Sequence, residues 1–318
     1  MSPDVFTFGE AMIRLSAPQG ENLETAPDFD VHVAGAEANV AAALARLGRK
    51  VQWFSRVPDN ALGRRVLSEM ARAGVDTSTV DLVADARMGI YFVELQRPPR
   101  RTSVIYDRGD SAVWSITPQD IPWDVVEGAA IVHLTGITPA LSASCRSTCM
   151  ELAKATATAG AKLSFDVNYR AKLWSPKEAA AALEPIMDLA DLLMCTREDA
   201  SELFGITGPA AEVAALTAER HSTPRVVITD GPGGAWWWDQ GKGGHVEADD
   251  VVVIDRLGAG DAFTAGVLDG VLDGDLTLGV HRGAVLASIA LTTKGDQVVV
   301  TRAEMEEAIR GSGRSVDR

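Results

Sequence analysis

The chain has little cysteine, a deficit of positive charge and no long apolar run. Its 318 residues include only Cys145, Cys149 and Cys195. So odd and sparse a set argues against a disulfide framework and for reduced thiols. Cys145 and Cys149 fall four apart on an expected helix, but no histidine or further cysteine stands at ligand spacing, which speaks against a metal site there. Lys and Arg number 30 against 44 Asp and Glu, a net charge of −14. That balance argues against nucleic acid or an anionic membrane as a general partner. No stretch approaches membrane-spanning length, and the opening "MSPDVFTFGE" lacks the basic head and apolar stretch of a signal peptide, so a cytoplasmic location is expected. No G-x-G-x-x-G follows the first expected strand, where "FGEAMIRLS" runs on, which argues against a dinucleotide-binding dehydrogenase.

What is present is alternation. "VFTFGE", "VQWFSRV", "AAIVHLTG", "KLSFDVN", "DLLMCT" and "RVVITDG" read as strands. Between them stand helical patterns such as "AEANVAAALARLG", "NALGRRVLSEMARAG" and "SASCRSTCMELAKATATAG", the first two closed by Gly48 and Gly74. The order predicts an α/β fold of three layers, αβα, with a mainly parallel central sheet, in one domain spanning 1–318. Helical periodicity lapses at about 16–33 and 80–107. There "MGIYFVEL" and "TSVIYDR", joined by the turn "QRPPRR", predict a small β-sheet protruding as a lid. Exposed lid edges invite pairing, so a homodimer through the lids is the first expectation for assembly.

Four stretches fall where strands end, the place where open parallel sheets gather ligands. They are "AGAEAN" (Ala34–Asn39), "FDVNYR" (Phe165–Arg170), "TDGPGGA" (Thr229–Ala235) and "DRLGAGDAF" (Asp255–Phe263). The last follows the apolar run "DDVVVID", read as a strand, and precedes a helical segment. Gly258-Ala259-Gly260 lets backbone N–H groups converge beside a helix N-terminus, a cradle for phosphate or for an oxygen gaining negative charge. A carboxylate beside such a cradle repels a resting anion. It makes sense if Asp261 removes a proton from a hydroxyl while the amides steady the transferred group. The plainer alternative makes Asp261 a helix N-cap. Trp236, Trp237 and Trp238 must alternate faces of a strand and read as packing. His133, between Val132 and Leu134, reads as a satisfied core residue.

The constellation resembles the ribokinase-like (PfkB) carbohydrate kinases along almost the whole chain. Within that family it is most similar to the kinases of 2-keto-3-deoxygluconate. The resemblance lies in "GEAMIRLS", "VHVAGAEANVAAALARLG", "YDRGDSA", "HLTGITPALS", "DVNYRAKLWSP" and, with high specificity for the superfamily, "GAGDAF". It implies a doubly wound sheet with a β lid, ATP as donor, Mg2+ as helper, a monovalent cation as a further candidate, and phosphorylation of a primary hydroxyl. It implies Asp261 as catalytic base and Gly258, Ala259 and Gly260 as the anion hole. Gly35, Asn39, Tyr91, Tyr106, Arg108 and Arg170 would hold the sugar acid. Thr196, Gly231, Gly233 and Gly234 would lie near the nucleotide, and Asp199 would meet the metal through water.

Guanidinium is a suitable geometric partner for the carboxylate of a sugar acid. Several positions depart from the family pattern: Ala34 for a glycine, Arg256 for a threonine, Thr196 and Asp199 for its Asn-x-x-Glu, and an acidic Asp230 in the nucleotide loop. The competing expectations are a kinase of a neutral sugar such as fructose or ribose, and a non-catalytic sugar sensor.

Overall fold

A computed structural model describes residues 2–96 and 99–311. Fourteen strands carry the fold among these residues: β1 (Val5–Phe8), β2 (Met12–Ser16), β3 (Asp30–Ala34), β4 (Val51–Phe54), β5 (Arg56–Pro58), β6 (Asp81–Val83) and β7 (Gly89–Glu94), then β8 (Ser103–Asp107), β9 (Ile131–Thr135), β10 (Lys162–Asp166), β11 (Leu192–Thr196), β12 (Arg225–Thr229), β13 (Ala235–Asp239) and β14 (Lys242–Val246). The main sheet runs β14-β13-β12-β11-β10-β9-β1-β4. It is parallel from β12 to β4, and β13 and β14 add an antiparallel edge.

Helices cover both faces: α1 (Ala36–Arg46), α2 (Ala61–Ala73), α3 (Trp123–Gly128), α4 (Thr138–Leu141), α5 (Ala143–Ala159) and α6 (Pro176–Met187), then α7 (Arg197–Phe204), α8 (Ala210–His221), α9 (Ala259–Leu272), α10 (Leu276–Leu291) and α11 (Arg302–Ile309). Strand residues alternate between two cores. Val5, Val51 and Ile131 pack with α1, α9 and α10, while Phe6, Val132 and Phe165 pack with α5, α6 and α8. This two-sided burial explains why the strands read as near-continuous apolar runs. Helix ends follow local chemistry: Asn60 caps α2, Gly74 closes it in the left-handed region, and Ser175 and Glu178 form a capping box on α6. The three-layer expectation holds.

A second sheet has the order β3-β2-β7-β8. It differs in detail from the stretches expected to form it. It begins at Met12, since β2 follows β1 after only three residues, and of the 16–33 segment only Ser16, the end of β2, and 30–33, in β3, join it. Asp81–Val83 pairs with Arg56–Pro58 instead, so "VQWFSRV" is two strands broken at buried Ser55. The turn expected at Gln96–Arg101 lies partly outside the described residues. The run Val251–Ile254 is not a strand: only loop hydrogen bonds such as Ile254 N to Leu291 O hold it, and Val252 is 79% exposed. Among the described residues β14 is the last strand of the main sheet, and this run does not pair with it. As expected of a strand, Trp237 packs into one core and Trp236 and Trp238 into the other. His133 is fully buried, with Nδ1 3.1 Å from Ser164 Oγ, and burial pushes its pKa down to about 3.

Candidate active site

The carboxyl ends of β10, β11 and β12 open into a cleft of about 1090 Å³, walled on one side by Thr102, Val104, Tyr106 and Arg108 of the small-sheet region. Leu257 and Gly258 of the turn before α9 line it as well. Gly258 has φ +80° and N-caps α9 without a side-chain hydrogen bond. A Cβ there would collide with the carbonyl of Asp296, so both backbone shape and close approach demand glycine. A Cβ on Gly260 would meet nothing within 4 Å, so its bare backbone faces open space. The first amides of a helix have no intrahelical acceptor, and here no side chain supplies one.

Asp261 is the third residue of α9 and not its N-cap. Its Oδ2 accepts a 2.7 Å hydrogen bond from Asn39 Nδ2, donated from the first turns of α1. Burial raises its pKa to about 7; the bond from Asn39 and the charge of Arg170 oppose that rise, and Asp166 and Asp296 add to it. Asp166, at the end of β10, is likewise raised to about 7 by burial, against the pull of Arg170 and with a push from Asp199. It accepts from Asn168 N at 3.2 Å and from Thr264 Oγ1 of α9 at 3.4 Å. Sequence reasoning did not single Asp166 out, although it stands inside "FDVNYR". A carboxylate at the carboxyl end of a parallel strand was the available signal.

A smaller pocket beside the cleft brings together Gly35, Asn39, Tyr91, Tyr106, Arg108, Arg170 and Asp261. These are residues that the sequence assigned to the sugar and to the base: Tyr91 and Tyr106 from the small sheet, Gly35, Asn39 and Asp261 from the starts of α1 and α9, and Arg108 and Arg170 from loops after β8 and β10. The structure changes how free they are. Arg108 is buried and donates to Glu10, which also accepts from Ser111 Oγ. Tyr91 donates its hydroxyl to Asp296 Oδ1 at 2.6 Å. Arg170 is exposed, and among the described residues it donates to the carbonyl of Tyr169 at 3.3 Å. Gly35 must be glycine, since a Cβ would strike the carbonyl of Glu10. Ala34 is buried and lines the pocket.

Thr196 and Asp199 both line the cleft, where Thr196 Oγ1 caps α7 by accepting from Asp199 N at 2.9 Å. Arg256 lines it too. Gly231, Gly233 and Gly234 are apart from these residues. They form the turn between β12 and β13 and line neither the cleft nor the sugar-sized pocket, while Thr229 does reach the cleft. The tight hydrogen bonding of the turn, including Asp230 N to Gly234 O and His245 Nε2 to Gly233 O, draws the loop toward β14. Asp230 pairs with Arg197 at 2.9 Å on the neighbouring surface. Among the described residues no group of three or more His, Cys, Asp or Glu could hold a metal. The cleft offers Asp166 and Asp199 instead, a sparse set of oxygen donors that fits Mg2+, an ion that keeps several waters and binds largely through substrate phosphates.

A carboxylate and open helix-start amides at the carboxyl ends of parallel strands, with guanidinium groups close by, suit a phosphotransferase acting on an anionic, hydroxyl-bearing molecule. The model of the pfkB family carbohydrate kinases matches residues 2–302, and the chain belongs to that family, whose kinases use ATP. It is 40% identical over its full length, and the full length of the relative, to a 2-dehydro-3-deoxygalactonokinase of Haloferax volcanii. It is 33% identical to a 2-dehydro-3-deoxygluconokinase of Bacillus subtilis, over 93% of this chain and 92% of the relative. The crystal structure of a 2-dehydro-3-deoxygluconokinase of Thermotoga maritima superposes with a TM-score of 0.90 at 31% identity, over 98% of this chain and 99% of that one.

Proposed function

We propose that the protein transfers the γ-phosphoryl group of ATP to the 6-hydroxyl of 2-keto-3-deoxygluconate, giving 2-keto-3-deoxy-6-phosphogluconate. The observation that carries this reading is the meeting of Asp261 with Arg170 and Arg108 in one small pocket beside the open amides of α9. Asp261 accepts the proton of the 6-hydroxyl, the freed oxygen attacks the γ-phosphorus, and the bond to the β-phosphate oxygen breaks to release ADP. A base with a pKa near the working pH is well matched to that transfer. The amides of Gly258, Ala259 and Gly260 stabilise the charge that builds on the phosphoryl oxygens. Mg2+, held near Asp166 and Asp199 with the nucleotide, would neutralise phosphate charge. Arg170 meets the sugar's carboxylate, with Tyr91 and Tyr106 against the carbon chain and Gly35 and Asn39 near its hydroxyls.

The galactonate epimer is the second reading, favoured by the name of the Haloferax volcanii relative at 40% identity. The test is kcat/KM for both epimers, fructose and ribose, with the phosphorylated carbon located by phosphorus–proton correlation NMR. Turnover confined to neutral sugars would overturn the sugar-acid reading, and a product phosphorylated elsewhere than carbon 6 would overturn the position.

A further inference from the structure

Arg14, on β2 of the small sheet, is 1% exposed, and all three of its guanidinium nitrogens donate. Nε reaches Ser16 Oγ at 2.7 Å, Nη1 reaches Asp296 Oδ2 at 2.7 Å and Nη2 reaches Asp255 Oδ2 at 2.5 Å. Both carboxylates lead to the turn that starts α9. Asp255 Oδ1 accepts from Leu257 N at 3.1 Å, one residue before Gly258, and its Oδ2 also accepts from Gly295 N at 3.2 Å. The carbonyl of Asp296 occupies the place where a Cβ on Gly258 would fall. The remaining oxygen of Asp296, Oδ1, takes the Tyr91 hydroxyl. Tyr91 is the register partner of Arg14 on the neighbouring parallel strand, so two side chains of one sheet grip one carboxylate.

Energetics point the same way. One guanidinium faces two buried carboxyl groups in this cluster. Burial raises the pKa of Asp296, and Arg14 opposes that rise. Buried ion clusters of this kind add little net stability over apolar packing, but their bonds are directional. What the cluster supplies is a fixed geometry between the small sheet and the catalytic turn.

We propose that Arg14 is a positioning residue for phosphoryl transfer: it sets Leu257–Asp261 in register with the sheet that carries Tyr91, so that base and amides face a sugar seated against that sheet. The proposal rests on the kinase reading above. In Arg14→Ala, kcat should fall about 10- to 100-fold, the scale of losing charged hydrogen bonds, with KM for the sugar little changed. Millimolar guanidinium chloride, far below denaturing concentration, should restore much of that loss, and sodium chloride at equal ionic strength should not. Arg14→Lys, which keeps charge without the fork, should lie between. It also serves if the alanine variant does not fold.

Amide hydrogen exchange supplies a readout independent of turnover. Arg14→Ala or Arg14→Lys should speed exchange at Leu257–Asp261 while α5 stays protected. A wild-type protein inactive on every sugar would sink the kinase reading and leave the exchange result to decide the coupling. Unchanged exchange at the turn, or a kcat loss that guanidinium does not relieve, would overturn the role given to Arg14.

Discussion

Asn39 and Asp261, 222 positions apart in the chain, meet through a 2.7 Å hydrogen bond between the starts of two helices on the same face of the main sheet. The bond stabilises the ionised carboxylate and so holds the pKa of Asp261 below the level that burial alone would set. Asn39→Ala should therefore move the acidic limb of the kcat/KM profile upward from about 7. A limb that stays in place would mean that Asp261 is not the titrating base.

Asp166 pushes the pKa of Asp261 upward by like-charge repulsion. Asp166→Asn removes that push, so the acidic limb should move below about 7, opposite in sign to the Asn39 variant. The two carboxyl groups titrate as an interacting set, so the profile reports values of the set and not of one residue. The direction of the shift is the discriminating quantity.

Asp261→Asn keeps the size of the side chain and its ability to accept from Asn39, but it cannot take the hydroxyl proton. Turnover should fall about a hundredfold to ten-thousandfold. Stability should move the other way. The folded pKa lies near 7 against an ordinary 3.8, so the ionised form is disfavoured by folding; the penalty is absent below about 4 and complete above about 7. The variant's gain in Tm over wild type should thus be larger at pH 8 than at pH 5. Near-normal turnover would leave Asp261 a structural residue.

Arg170 is exposed and makes a long hydrogen bond to the carbonyl of Tyr169, whereas Arg108 is bound to buried Glu10. Arg170→Ala should cost roughly 10- to 100-fold more in kcat/KM for 2-keto-3-deoxygluconate than for fructose, and Arg170→Lys should recover only part. Arg108→Ala should also unfold more easily, by about 3–5 kcal/mol, because it strands the Glu10 carboxylate. Equal losses on both sugars for Arg170→Ala would assign it to the phosphates.

Gly258→Ala tests the turn itself. At φ +80° and against the Asp296 carbonyl, a methyl group must displace the backbone. The left-handed conformation alone costs an L-residue about 1–2 kcal/mol, so Tm should fall modestly and kcat steeply. A variant with normal kcat would show that the amide geometry there is not critical.

Much of this was legible in the chain itself. Strand–helix alternation, Asn60, Gly74 and the Ser175 box set the main layers by local rules of propensity and capping, which act within a few residues. Gly258-Ala259-Gly260 followed by Asp261 announced a bare helix start with an acid in its first turn, and the structure shows that arrangement. What the order of residues did not reveal depends on contacts made across the fold. The run Val251–Ile254 is as apolar as a buried strand, yet in the fold it is largely exposed, joins no sheet among the described residues and stays a loop. Arg108 reads as a free guanidinium until Glu10, 98 positions away, is folded against it. Arg14 stands inside "GEAMIRLS", where nothing local singles it out, and its partner Asp296 is 282 positions distant. Local sequence determined most helices and strands of the main layers and where the acid stands. Tertiary packing decided which charges are neutralised, how far burial raises Asp166 and Asp261, and which side chains tie the small sheet to the turn, because desolvation and ion pairing depend on neighbours that only the closed fold supplies.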